Sequence, residues 1–155
     1  MRRQDREVTD WNETLAVIAS CDCCRLGLAA GDFPYIVPLN FGFETVGGKL
    51  SLYFHGAREG RKISLLRATK KASFEMDRQH ELVAGEAACK FSYKYESVMG
   101  TGVASFLEGR EEKLHGLQKI MQHYSGRAGW DFGEAELARV SVIRLDVKDL
   151  TCKRH

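Results

Sequence analysis

Tyr35-Ile36-Val37-Pro38-Leu39-Asn40-Phe41-Gly42-Phe43, followed after a turn by Leu50-Ser51-Leu52-Tyr53-Phe54-His55, is the stretch from which the fold can be read. Tyr35, Val37, Leu39, Phe41 and Phe43 alternate with Ile36, Pro38, Asn40 and Gly42, the period of two that belongs to a strand. The second run alternates likewise, and Thr45-Val46-Gly47-Gly48 between the runs supplies a turn, so the two form a hairpin. Matching the apolar faces pairs Phe43 with Leu50, Phe41 with Leu52 and Leu39 with Phe54. That register sets Pro38 opposite His55 and Asn40 opposite Tyr53. Both polar groups then share the face turned from the core, which is expected to be covered rather than open to water. Pro38 donates no ladder hydrogen bond, so it belongs at an edge or an irregularity.

Outward from the hairpin, strands outnumber helices. Asp10-Trp11-Asn12-Glu13 reads as a capping box that opens a helix with Leu15, Ala16 and Ile18 on its apolar face. Arg25 to Ala30 is a short strand stopped by Gly31-Asp32. Beyond the hairpin, Glu59 to Ala68 reads as a short helix burying Ile63, Leu65 and Leu66. Lys71 to Met76 and Tyr95 to Leu107 read as strands, the second bent at Gly100 and Gly102. Glu111 to Tyr124 is an amphipathic helix with Leu114, Leu117, Ile120, Met121 and Tyr124 on one stripe. Glu134 to Ala138 adds a helical turn, and Val140 to Val147 is the last strand. Six strands with peripheral helices imply a mainly β, α+β barrel, with residues 1–155 forming a single domain.

The whole chain agrees with that reading. It has 155 residues, with 23 Lys+Arg against 21 Asp+Glu and a formal net charge of +2. Hydrophobic residues at 44% and charged residues at 28% exclude disorder for most of the chain, and the near balance of charge argues against a nucleic-acid partner. The charged start and the lack of a long apolar run predict neither a signal peptide nor a membrane span, hence a cytoplasmic protein. Cys21-Asp22-Cys23-Cys24 contains a C-x-x-C, but Cys89 and Cys152 are solitary. The cysteines are therefore expected to be free thiols at a helix-to-strand junction, with no metal site.

Tyr53-Phe54-His55-Gly56-Ala57-Arg58-Glu59-Gly60-Arg61-Lys62 holds the candidate chemistry. A strand ends at His55, a glycine follows, and Arg58, Arg61 and Lys62 crowd the start of a helix. Cations there oppose the helix dipole unless an anion sits among them, and free N–H groups with Arg61 and Lys62 suit a phosphate. The alternative is a solvated basic turn partly neutralised by Glu59. His55 gains interest from this company, whereas His80, His115, His123 and His155 lack it, and His115 and His123 read as surface residues of the late helix.

Four sets of residues carry a family resemblance. They are Met1-Arg2-Arg3 with Asp5-Arg6-Glu7; Pro34 to Phe43; Leu52-Tyr53-Phe54-His55-Gly56-Ala57 with Gly60-Arg61-Lys62; and Tyr95 to Gly102 with the helix around Ile120-Met121. In this order they resemble the 5-nitroimidazole reductase (nitroimidazole-resistance) family, within the pyridoxamine 5′-phosphate oxidase-like flavin-binding split barrels. The resemblance implies a split-barrel homodimer that binds FMN in a groove between subunits and acts on a small molecule. Pro38, Leu39 and Asn40 would run along the isoalloxazine edge, and His55 and Gly56 would close the ribityl side. Arg61 and Lys62 would hold the phosphate, and Ser97 would add a polar contact. The implied activity is FMN-dependent oxidoreduction, in this family of a nitro group, with His55 as the candidate catalytic residue. The alternative within the same fold is a non-catalytic flavin- or ligand-binding dimer. Thr151-Cys152-Lys153 stands where the family often has Thr-Gly-Lys, and Cys21-Asp22-Cys23-Cys24 has no counterpart in the family's motifs.

Overall fold

The computed structural model describes residues 3–155, so Met1 and Arg2 of the N-terminal motif lie outside it. Asp10 caps the first helix as expected: its carboxylate accepts the Glu13 N–H at 2.8 Å, and α1 runs Trp11–Ser20. Thr14, Val17 and Ile18 form its buried side, while Ala16 faces out.

Eight strands make one antiparallel sheet: β1 (Glu7–Val8), β2 (Cys24–Leu28), β3 (Tyr35–Leu39), β4 (Phe41–Val46), β5 (Lys49–Ala57), β6 (Lys71–Val83), β7 (Ser92–Leu107) and β8 (Val140–Arg154). Their order is β3-β2-β6-β7-β8-β5-β4, with β1 added alongside β8. The six expected strands are all present. The count rises to eight because Tyr35–Phe43 divides at Asn40 and because the N-terminus adds β1.

That division shapes the molecule. β3 and β4 lie at opposite ends of the sheet, yet only Asn40 separates them in the chain. The sheet must therefore roll until its ends meet, and because no ladder joins β3 to β4 the barrel is split there. Leu26, Phe41, Leu52, Phe54, Phe74, Val98, Ile143 and Leu145 fill its interior, and α1 contributes Val17 and Ile18.

The β4–β5 hairpin differs from the expected register by two residues. Phe41 pairs with Phe54, Phe43 with Leu52 and Val46 with Lys49, leaving Gly47-Gly48 as the whole turn. Both glycines have positive φ (58° and 76°), the conformation of the two-residue turn that suits twisted strands. A shift of two keeps every apolar side chain on its face, which is why alternation alone could not detect it. Gly42 rather than Asn40 consequently faces Tyr53, and Pro38, which lies in β3, faces Arg25 of β2 rather than His55.

Helix α2 (Arg61–Thr69) follows β5 and buries Ile63 and Leu66, with Leu65 packed at the margin. α3 (Arg110–Ser125) and α4 (Glu134–Arg139) cover the outer face of β4, β5 and β8. There Tyr53, Leu107, Leu117, Ile120, Leu137 and Val142 form a second core, so the hairpin's outer face is indeed covered. In β7 the register shifts against β8 between Thr101 and Gly102, within the bend expected from its glycines. Among the described residues no helix is long and apolar enough to cross a membrane.

Candidate functional site

Arg58-Glu59-Gly60 connects β5 to α2, so Arg58 precedes the helix and only Arg61 and Lys62 stand in its first turn. Gly60 is the N-cap, with φ 127° and no side chain to accept the helix's free N–H groups, and the first turn contains no acid. Lys62 folds back over the end of β5, its Nζ 3.4 Å from the His55 carbonyl oxygen. A Cβ at Gly56 would lie 2.6 Å from both Cε and Nζ of Lys62, so only glycine lets the ammonium lie this close to the strand. Burial lowers the Lys62 pKa from its ordinary value. Arg61 lies over the Tyr35 ring with 4.9 Å to the centroid, tying α2 to β3, and Arg58 reaches the Ala138 carbonyl oxygen at 3.4 Å.

Among the described residues, none of these three cations lies within ion-pair distance of a carboxylate, and Glu59 pairs with no cation. The turn is solvated at Arg58, Glu59 and Arg61, and Glu59 does not neutralise it through an ion pair. Arg61 and Lys62 stand at a helix start without a side-chain cap, and the free N–H groups and dipole of such a start favour negative charge.

His55 points outward beside this helix start. Surrounding protein lowers its pKa first and the Lys62 charge second, so the ring is neutral at pH 7. Phe41 and Phe54 form the last rung of their ladder, which leaves Asn40 and His55 as the next residues on its open side. Neither Pro38 nor Asn40 is paired with His55: Pro38 belongs to the β2 ladder and His55 pairs with Val142 of β8. Leu39 and Pro38 lead away along β3, paired with Cys24 and Arg25, and Pro38 is exposed at an edge strand as its missing N–H requires.

Ser97 stands apart. His55 pairs with Val142 and Val142 with Leu107, whereas Ser97 lies ten positions back along β7. At a strand's usual rise that is on the order of 30 Å along the strand. His55, Gly56 and Lys62 thus meet at the end of β5, and Ser97 lies at the far end of the sheet, buried between Asp77 and Lys153 of the flanking strands.

The structure also brings in two residues of α3 that were not assigned to the site. The Tyr124 hydroxyl accepts the Phe41 N–H at 3.2 Å and donates to the Asp22 carbonyl oxygen at 2.7 Å. His123 is half-buried rather than a surface residue: its Nε2 is 2.8 Å from the Cys21 carbonyl oxygen and its ring packs on Phe41 at 4.4 Å. His115 likewise has a partner, with its Nε2 2.9 Å from Glu44. Tyr124 lay on the apolar stripe of α3, but nothing in that periodicity marks a hydroxyl that serves a distant strand.

A family model described as pyridoxamine 5′-phosphate oxidase matches residues 10–154. The chain belongs to this family. Among solved structures, it is similar to a candidate 5-nitroimidazole antibiotic resistance protein from Bacteroides thetaiotaomicron, with 31% identity and a TM-score of 0.83 over 96% of this chain and 86% of that one. It also has the fold of the flavocytochrome Anf3 from Azotobacter vinelandii, with 19% identity and a TM-score of 0.81 over 100% of this chain and 72% of that one. The FAD and heme binding protein from Mycobacterium smegmatis shares the fold at 17% identity, with a TM-score of 0.73 over 96% of this chain and 73% of that one. No curated protein matches the chain.

Proposed function

We propose that this chain is an FMN-dependent oxidoreductase that works as a homodimer and reduces the nitro group of a small aromatic substrate. The observation that carries the reading is the corner of Arg58, Arg61 and Lys62, without a carboxylate partner, at a helix start with no side-chain cap. A phosphate there accepts hydrogen bonds from the helix N–H groups and compensates the burial of Lys62. That a flavocytochrome and an FAD and heme binding protein share this fold supports a flavin as the phosphate's carrier. One compact corner suits a monophosphate, which favours FMN over FAD.

Pro38, Leu39 and Asn40 then border the flavin ring, and His55 with Gly56 borders its side chain. When bound, reduced FMN supplies the electron pair for each reduction step. On this reading the exposed imidazole of His55 orients a nitro group and carries a proton towards it. A groove of about 630 Å³ crosses the outer face of the sheet past Gly27, Ile36, Met99 and Thr101, with Ile36 63% exposed. It starts two residues from Pro38, so a second copy covering it also walls the flavin, and Ser97 can join only from that copy.

The test is reconstitution with FMN followed by gel filtration. The expected result is a yellow dimer that removes nitroimidazole absorbance with NAD(P)H, and a colourless Lys62→Glu variant. FMN retained by Lys62→Glu, or a colourless wild type, overturns the flavin site. A yellow dimer that leaves the nitro compound intact overturns the enzyme reading in favour of a flavin-binding protein.

A further inference from the structure

The site as proposed depends on a bend that its own residues do not hold. At Asn40 the chain leaves the β2 ladder and has yet to join the β5 ladder, so the local backbone needs partners from elsewhere. The Tyr124 hydroxyl provides them. It accepts the Phe41 N–H at 3.2 Å and donates to the Asp22 carbonyl oxygen at 2.7 Å. A phenol can accept and donate at once, and here it does both. Burial raises the phenol's pKa, which keeps it protonated and able to donate to Asp22. α3 can approach because Gly42, two residues past the bend, lies directly against the backbone of Lys119 and Ile120.

We propose that Tyr124 is the positioning residue of the flavin-binding edge: through the Phe41 N–H it sets the place of Pro38-Leu39-Asn40 against the isoalloxazine ring, while taking no part in holding the phosphate. The proposal rests on the FMN reading above. The cationic corner is built from β5 and α2, whereas Tyr124 acts on the β3–β4 junction, so the two halves of the ligand are held by separable parts of the structure. Loss of the hydroxyl therefore strikes the ring half alone.

The experiment compares Tyr124→Phe with wild type in three measurements. Without flavin, amide hydrogen exchange at Phe41 is expected to quicken about tenfold once its acceptor is gone. With flavin, the FMN dissociation constant is expected to rise about fivefold and the visible flavin band to move. Titration of the flavin-free protein with inorganic phosphate gives the third quantity, the protein's own phosphate affinity, which is expected to stay within about twofold. Equal loss of phosphate and FMN affinity makes Tyr124 a general structural residue and overturns the proposal. Unchanged Phe41 exchange overturns it too, as does faster exchange with an unmoved flavin band and FMN affinity. A wild type that binds phosphate but not FMN overturns the flavin reading itself and the positioning role with it, an outcome seen before any variant is made.

Discussion

Lys62 rests its ammonium on the backbone of Gly56, at a spot where any side chain would collide with it at 2.6 Å. The colliding atoms are the far end of a flexible side chain, so the fold can accommodate a methyl group by moving Lys62 away. Gly56→Ala is therefore expected to change the melting temperature by less than about 3 °C, the effect of under 1 kcal/mol in a domain this size. FMN or phosphate affinity is expected to fall about tenfold as the ammonium leaves the corner. Isothermal titration with phosphate checks this. Unchanged affinity would show that Lys62 acts from another position.

His55 offers a pH readout of the same corner. Its folded pKa lies below the unfolded value near 6.5, so folding favours the neutral ring. Its contribution to stability is complete above about 6.5 and is lost as the pH falls towards the depressed folded value. An anion beside Lys62 reverses the local charge, so phosphate is expected to raise the His55 pKa in an NMR titration, and Lys62→Met to abolish that response. An identical titration curve with and without phosphate would place the anion elsewhere. In the flavin-loaded protein, His55→Ala is expected to keep the flavin and dimer while turnover drops on the order of a hundredfold, the usual worth of a positioned proton donor.

The parts of this site were legible to different degrees, for reasons that differ by residue. Alternation from Tyr35 to Phe43 was correct on both sides of Asn40, so it could not show that the ladder changes partner there: β3 turned to β2 and β4 to β5. The cations at the start of α2 were visible because charge against a helix dipole is a local conflict. Their lack of carboxylate partners was not visible, since Glu59 is adjacent in sequence yet forms no ion pair. The outer parts of β6 and β7, from Asp77 to Val83 and from Ser92 to Lys94, carry no apolar alternation. They pair around an irregularity between Arg78 and Glu81, near Gln79 with φ 58°. Backbone pairing between distant segments holds them, and a local period does not report it. Tyr124 and His123 escaped for a related reason: their partners Phe41, Asp22 and Cys21 lie about eighty or more residues away in sequence.

Glu44 binds α3 to the β4–β5 hairpin. It accepts from the Tyr53 hydroxyl, meets His115 Nε2 at 2.9 Å and pairs with Lys119 Nζ at 3.1 Å. Burial alone would raise its pKa, but these three partners outweigh burial and hold it at about 2. The folded value is depressed, so this stabilisation is complete above the unfolded pKa near 4.5 and is lost as the pH falls towards 2. Glu44→Gln is expected to cost about 2 kcal/mol at pH 7 and to flatten the loss of stability between those two values. Urea midpoints across that range check it. A variant as acid-sensitive as wild type would assign the acid transition to another carboxylate.

The cysteines divide by burial rather than by sequence grouping. Cys21 closes α1 and Cys24 opens β2, the junction expected from the sequence, and both are buried, as is Cys152. Burial pushes the Cys21 thiol up to about 12 and raises those of Cys24 and Cys152, so all three stay protonated at neutral pH. Cys21 also donates to the Val17 carbonyl oxygen at 3.3 Å, which commits its S–H to α1. Since only a thiolate attacks a disulfide reagent, the native protein is expected to show one fast thiol, Cys89, which is exposed, and one slower thiol, Cys23, which is half-buried. The other three are expected to react only after denaturant is added, and Cys89→Ser to remove the fast phase while leaving flavin uptake unchanged. Rapid modification of Cys21 or Cys24 in the native state, or a disulfide forming between them without loss of structure, would mean that the C-x-x-C is an exchanging redox pair rather than part of the barrel's core.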